Sequence, residues 1–291
     1  MKAPDFSYHR PSTIDEAVSL LARLENARCL GGGQSLMPML NLRIASPDHL
    51  IDLCGIAELS GIVQGEGELL IGAMTSQRAL ERSELVAKAA PLLFEAVGLV
   101  GHQQTRNRGT IGGSLCHLDP GAELPVAAAA LDARLVVIGP GGSREIAFSE
   151  FPAGYLTTCL ASDEILTTVR IPKVLPGTGC AFVEFNRRPA DFAIVSVAAI
   201  LRVDADQRIS QAAIALGGSF EAPVRLRAIE SDLIGQRPEG GLFTKLAAMA
   251  RTVPCDGDSL YPADYRQDLA ATLVERALVR AAVRVGIPAD V

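Results

Sequence analysis

The chain has 291 residues, 48% of them hydrophobic, so sizeable cores can form and a disordered chain is excluded. Its net charge is −6, from 27 basic and 33 acidic side chains. That excludes nucleic acid as the main partner, because phosphate binding leans on clustered lysine and arginine. No stretch approaches the ~18 consecutive apolar residues of a membrane helix, and Met1-Lys2-Ala3-Pro4-Asp5-Phe6 lacks the apolar core of a signal peptide; a cytoplasmic location is expected.

Thr13-Ile14-Asp15-Glu16 has the capping-box pattern of a helix start. Ile14, Ala17, Val18, Leu21 and Leu24 continue it at helical spacing. A short strand at 28–30 runs into Gly31-Gly32-Gly33-Gln34-Ser35, and a second strand is expected at 49–53, which closes a small α/β subdomain near residue 55. A hairpin about Gly65-Glu66-Gly67 pairs 61–64 with 68–72. Helices follow at roughly 76–82 and 84–99, the second kinked or broken at Pro91. Residues 101–120 are polar, glycine-rich and without periodicity, the mark of a functional segment inside a compact domain. An alanine-rich helix is expected at 123–133, then strands at 134–138 and 164–171. Residues 173–179 read as a linker. Beyond it come three strands, 180–186, 193–203 and 209–217, and three helices at roughly 223–235, 241–252 and 263–285, an α+β arrangement of its own.

The chemistry lies in two glycine-rich loops. Glycines permit positive φ and a close backbone approach, and successive N–H groups in such a turn converge on an anion. Taken alone, 31–35 reads equally as a tight turn or an anion nest. It is neither the G-x-G-x-x-G dinucleotide fingerprint nor a phosphate loop with Gly-Lys-Ser/Thr. Roughly eighty residues on, Thr110-Ile111-Gly112-Gly113-Ser114 repeats the combination of glycine and hydroxyl, and two such loops suggest a clamp on a diphosphate. Arg106 and Arg108 read as a solvated charged loop. Asp119 either caps a helix near Gly121 or, like Glu123, accepts from sugar hydroxyls. The six cysteines form no C-x-x-C pair and read as buried reduced thiols; the four histidines have no metal spacing. No nucleophile constellation or general base stands out, which suits a chain whose cofactor brings the chemistry.

Gly31-Gly32-Gly33-Gln34-Ser35-Leu36-Met37-Pro38, Arg106 to Ser114 and Asp119 to Pro125 together resemble the FAD-binding medium subunit of molybdenum hydroxylases. The nearest group is the carbon-monoxide-dehydrogenase medium-subunit type, similar to the flavin domain of xanthine dehydrogenase. Asn186 to Ala193, and Ala263 to Arg266 through Arg276 to Leu278, resemble that family's C-terminal domain, so the likeness covers nearly the whole chain.

The resemblance implies an α+β chain with a two-part FAD-binding region of the vanillyl-alcohol-oxidase (PCMH) type, 1–55 and 56–175. A C-terminal domain over 176–291 would have a three-stranded antiparallel sheet with helices. Gly31, Gly32, Gly33, Gln34 and Ser35 with Thr110, Ile111, Gly112, Gly113 and Ser114 would hold the pyrophosphate of a non-covalent FAD through N–H and hydroxyl groups. Glu123 matches an acidic cofactor contact, Val100 and Leu166 match pocket positions, and Asp191 and Phe192 fall where relatives approach the isoalloxazine ring. Gly31 stands where many relatives have alanine, and Ser114 where asparagine is frequent. No catalytic or metal-ligating residue is implied here. The molybdenum cofactor and [2Fe–2S] clusters would sit in a large and a small partner subunit, in a dimer of heterotrimers. This chain would relay electrons through FAD to an external acceptor. The two other readings are a stand-alone FAD oxidase or dehydrogenase of the same fold and a non-catalytic nucleotide-binding scaffold. The resemblance is compatible with CO, purine, nicotine-like, other N-heterocyclic or aldehyde substrates. The absence of a nicotinamide-nucleotide fingerprint leans the acceptor towards a quinone, oxygen or a carrier protein.

Overall fold

A computed structural model describes residues 2–287; Met1 and 288–291, the ends of the first and third expected segments, lie outside the described residues. The chain divides into two compact units, each drawing on separated stretches of sequence.

The first unit comprises 1–86, 102–118 and 133–172. Its N-terminal part is a three-stranded parallel sheet in the order Ser7–His9, His49–Asp52, Ala27–Leu30. Helix Ile14–Arg23 begins as the capping pattern predicts, with Thr13 Oγ1 accepting from the Glu16 N–H at 3.2 Å. The return arm differs: Glu16 accepts from the Ser12 N–H at 2.8 Å. Ala17, Val18 and Leu21 bury their shared face against Ile51, Leu53, Ile56 and Leu59. The rest of this unit is built on a five-stranded antiparallel sheet, in the order Ile62–Gln64, Glu68–Gly72, Ile165–Pro172, Arg134–Gly139, Gly142–Ala147. Residues 142–147 escape a hydrophobicity reading because only Ile146 of that edge strand is buried. Glu68, Arg134, Glu145 and Arg170 lace the sheet, Arg134 reaching Glu68 at 2.8 Å and Arg170 reaching Glu145 at 2.7 Å.

The second unit comprises 87–101, 119–132 and 173–291. Its sheet runs Thr178–Phe185, Val195–Val203, Ile209–Gly217, Val224–Arg225, antiparallel throughout. The expected three strands are present, and a fourth of two residues is added. Two residues carry no readable period; this strand is held by Arg225, which reaches Glu230 at 2.7 Å, Asp132 at 2.7 Å and the Ala129 carbonyl at 2.7 Å. The 22-residue helix Ala263–Arg284 lays Ala270, Leu273, Val274, Ala277, Leu278 and Ala281 along the sheet.

Helices Pro91–Leu99 and Glu123–Ala130 belong to this second unit. Every residue of Glu123–Ala130 is buried, as a helix without a polar face requires. It packs on strands Val195–Val203 and Ile209–Gly217, where Gly217 leaves room for Val126: a Cβ there would lie 2.2 Å from Val126 Cγ2. The break at Pro91 is real, with separate helices Glu84–Ala89 and Pro91–Leu99. Among the described residues, no helix is long and apolar enough to cross a membrane.

Candidate functional site

Strand Ala27–Leu30 delivers the chain into Gly31–Ser35, and helix Leu36–Asn41 takes it away. Gly33 has φ +72°, a left-handed conformation that suits glycine. Gly31 and Gly32 serve proximity instead. A Cβ on Gly31 would stand 3.2 Å from Thr110 Oγ1, and one on Gly32 would stand 1.9 Å from the Arg108 carbonyl oxygen. The two loops read from the sequence therefore lie against each other within the first unit.

They are not equivalent. Among the described residues, the N–H groups of Gly32, Gly33, Gln34 and Ser35 donate to no protein acceptor. Ser35 sits at the helix start without using its hydroxyl as a cap, while Gln34 Nε2 folds back onto the Gly32 carbonyl at 3.2 Å. The N–H groups of the second loop are already engaged: Ile111 with the Thr75 carbonyl at 3.1 Å, Gly112 with Ala73 at 2.8 Å, Ser114 with Thr110 at 3.1 Å, and Gly113 with Thr110 Oγ1 at 3.0 Å. Thr110 thus caps the short helix Ile111–His117, and the segment expected to lack periodicity contains two helices, Gln103–Arg108 and Ile111–His117. What this loop leaves for a ligand is hydroxyl groups and the exposed, side-chain-free surface of Gly113.

Leu166 is buried in the five-stranded sheet. It joins the site through its neighbour: the Thr167 carbonyl accepts the Ala73 N–H at 2.9 Å, and Ala73 in turn accepts from Gly112. Val100, Glu123, Asp191 and Phe192 all lie in the second unit. Val100 ends helix Pro91–Leu99, which packs on the helix that starts at the buried Glu123. Asp191 pairs with Arg188 at 3.0 Å, and Phe192 is exposed, its Cβ 3.0 Å from where a Gly121 Cβ would stand. Asp119 makes a local turn, accepting from the Gly121 N–H at 2.9 Å, and Ala122 stands at the N-cap of the helix.

Arg106 does not belong to the solvated charged loop expected of it: it grips Glu81 through Nε at 3.1 Å and Nη2 at 3.0 Å, which makes it a structural residue. Those guanidinium bonds hold the Glu81 carboxyl below its ordinary range. Gln77 is buried beneath the second loop with Oε1 unpartnered, and a Cβ on Gly109 would lie 2.5 Å from that oxygen. Cys54 Sγ approaches the Gly31 carbonyl at 3.7 Å, and the Cys54 N–H donates to Asp52 at 2.9 Å, whose other oxygen accepts from the Tyr8 hydroxyl. All six cysteines are unpaired; Cys54 and Cys159 are exposed rather than buried, whereas burial pushes Cys29 and Cys116 up to about 12, out of reach as thiolates.

Known proteins bear on this geometry. Residues 4–174 match the family described as the FAD binding domain in molybdopterin dehydrogenase. This chain belongs to that family. Residues 180–281 match the CO dehydrogenase flavoprotein C-terminal domain. The carbon monoxide dehydrogenase medium chain of Hydrogenophaga pseudoflava is 38% identical, over 96% of this chain and 97% of its own. The caffeine dehydrogenase subunit beta of a Pseudomonas species is 36% identical, over 98% and 97%. In three dimensions the chain is similar to a solved structure of carbon monoxide dehydrogenase from Hydrogenophaga pseudoflava lacking the Mo-pyranopterin moiety of its molybdenum cofactor. The TM-score is 0.94 at 37% identity, covering 98% of this chain and 99% of that one.

FAD is the family's cofactor, and the loops fit its diphosphate. Four adjacent main-chain donors without a protein acceptor, with the exposed, side-chain-free Gly113 in the loop packed against them, suit an anion, and a Cβ at Gly32 would force the two loops apart at the Arg108 carbonyl oxygen. The chain is an oxidoreductase subunit of the flavoprotein kind, with the mixed helix-and-sheet fold that the resemblance implied.

Proposed function

We propose that this chain is the FAD-carrying medium subunit of a three-subunit molybdenum hydroxylase. Its partners are a large molybdenum-cofactor subunit and a small [2Fe–2S] subunit, paired as a dimer of heterotrimers in the cytoplasm. FAD held by Gly31 to Ser35 and Thr110 to Ser114 would supply the redox chemistry that links the clusters to an external acceptor. The observation that carries this reading is the set of unspent N–H groups at Gly32 to Ser35, in the loop that packs against 108–110.

In this reading Gly31 to Ser35 supply most of the main-chain donors to the pyrophosphate. Thr110 and Ser114 supply hydroxyls, Gly113 supplies bare surface, and the buried Ile111 and Gly112 hold the loop in place. The roles that the resemblance gives Val100, Glu123, Leu166, Asp191 and Phe192 are part of the same proposal, as are the segment limits 1–55, 56–175 and 176–291. Substrate choice belongs to the large subunit: relatives similar over nearly their whole length bear names as different as carbon monoxide and caffeine dehydrogenase.

The test is a visible spectrum of the purified chain together with a copurification. A yellow chain that retains FAD, turns over no organic substrate alone and brings down two further subunits is expected. Turnover by the isolated chain would replace this reading with a stand-alone oxidase. A chain that stays colourless when FAD is added would replace it with a scaffold.

A further inference from the structure

The second unit contains an open cleft of about 830 Å³ that no cofactor role accounts for. One wall is helix Ala263–Arg284, which turns Arg276, Arg280 and Arg284 into it. Spaced four residues apart, they form a row with about 6 Å between steps. Phe94 and Leu99, from helix Pro91–Leu99, supply apolar surface. In a chain of net charge −6 this row is conspicuous. Only Arg284 has a carboxylate partner, Glu95 at 2.6 Å; among the described residues no carboxylate lies within ion-pair distance of Arg276 or Arg280. The other acid lining the cleft, Glu184, is pushed up to about 7 by burial, so it offsets the arginines only in part at neutral pH.

The cleft also runs along an unpaired sheet edge. Strand Thr178–Phe185 pairs on one side only, with Val195–Val203. The Phe185 carbonyl faces that neighbour, accepting from Ile194 at 2.8 Å, so by alternation the main-chain groups of Cys180, Phe182 and Glu184 face outward. The Glu95–Arg284 pair covers part of this edge: Glu95 accepts from the Phe182 N–H at 3.2 Å, and Arg284 donates to the Cys180 carbonyl. Glu184, beyond the pair, also lines the cleft.

We propose that this cleft seats an extended acidic segment of a partner subunit, with carboxylates at alternate positions on Arg276 and Arg280 and the apolar side chain between them on Phe94 and Leu99. The spacing selects an extended chain. Every second residue of a strand advances about 6.6 Å, which keeps register with arginines about 6 Å apart and turns the intervening side chain to the apolar wall. A single small anion would bridge at most two arginines and leave the apolar wall of Phe94 and Leu99 uncovered. Main-chain pairing at Glu184, beyond the Glu95–Arg284 pair, adds affinity, and charge supplies the choice of segment.

This proposal rests on the medium-subunit reading, and the experiment separates the two. The full-length flavoprotein, wild type and the double variant Arg276→Glu/Arg280→Glu, is titrated against the remaining subunits purified from cells lacking this chain. FAD content and melting temperature are recorded in parallel, and Arg276→Lys/Arg280→Lys serves as the conservative control. The charge reversal is expected to weaken assembly about 30- to 100-fold, with FAD content and melting temperature as in wild type and the lysine variant near wild type. Unchanged assembly of the reversed variant overturns the docking proposal and leaves the electron-relay reading standing. A wild-type chain that binds no partner overturns both. Loss of self-association in place of partner binding assigns the cleft to a second copy and overturns the proposal as stated.

Discussion

Replacing Gly32 by alanine adds one methyl group at the tightest point between the two loops. Its Cβ would stand 1.9 Å from the Arg108 carbonyl oxygen, 2.5 Å from the Arg108 carbonyl carbon and 2.8 Å from Gly109 Cα. All three are backbone atoms, so no side-chain rotation relieves the overlap. The loops must part by an ångström or more, carrying the unspent N–H groups of Gly33 to Ser35 with them. Overpacking of this kind costs about 1–3 kcal/mol. If that cost falls on cofactor binding, FAD affinity drops roughly ten- to hundredfold. The assay is flavin absorbance per mole of purified protein, followed by FAD titration of the stripped chain, with a thermal melt alongside. Gly31→Ala is the internal control. Its Cβ meets Thr110 Oγ1 at 3.2 Å, a contact relieved by a few tenths of an ångström, so it should bind FAD within a fewfold of wild type. A Gly32→Ala protein with wild-type flavin content, affinity and melting temperature would refute the close approach of the loops.

Gly179→Ala tests the second unit alone. A Cβ there would lie 2.0 Å from the Ala281 carbonyl oxygen of the long helix, so a loss of about 1–3 kcal/mol and a melting temperature lower by several degrees are expected; an unchanged melt would show that this strand–helix contact is looser than described. Gln77→Leu removes a buried amide whose oxygen has no partner. Stability should hold or rise by up to about 1 kcal/mol, and a clear loss would mean that the oxygen is satisfied in solution. Glu184 tests the pH dependence. Its folded pKa, raised by burial to about 7, exceeds the unfolded value, so the folded state binds the extra proton in between and wild-type stability falls as pH rises from about 4.5 through 7. Glu184→Gln keeps the acceptor that Asn186 uses at 3.0 Å and should flatten that slope by about 1–2 kcal/mol after solvent screening. Denaturant melts at pH 5 and pH 8 that give wild type and variant the same slope would place the carboxyl in water.

Local chemistry made much of this protein legible in its sequence. The Thr13–Glu16 cap, the Pro91 break, strand Ile209–Gly217 and helix Ala263–Arg284 follow from residues in contact with their own neighbours along the chain. Both glycine loops could also be located, because glycine runs betray close approach wherever they occur. The residues that meet could not: Gly32 lies against Arg108, and Gly31 against Thr110, through space and not through sequence. Nor could the unequal duties of the loops. The N–H groups at 111–114 are consumed by Ala73, Thr75 and Thr110, leaving the open donors on the first loop, and that accounting exists only once the chain is folded. The same holds for the helices at 91–99 and 123–130. The second demands burial on every side and the first on one face, but burial is non-directional. Tertiary packing decided that the sheet of 178–217 would supply it, rather than the strands nearest to them in sequence.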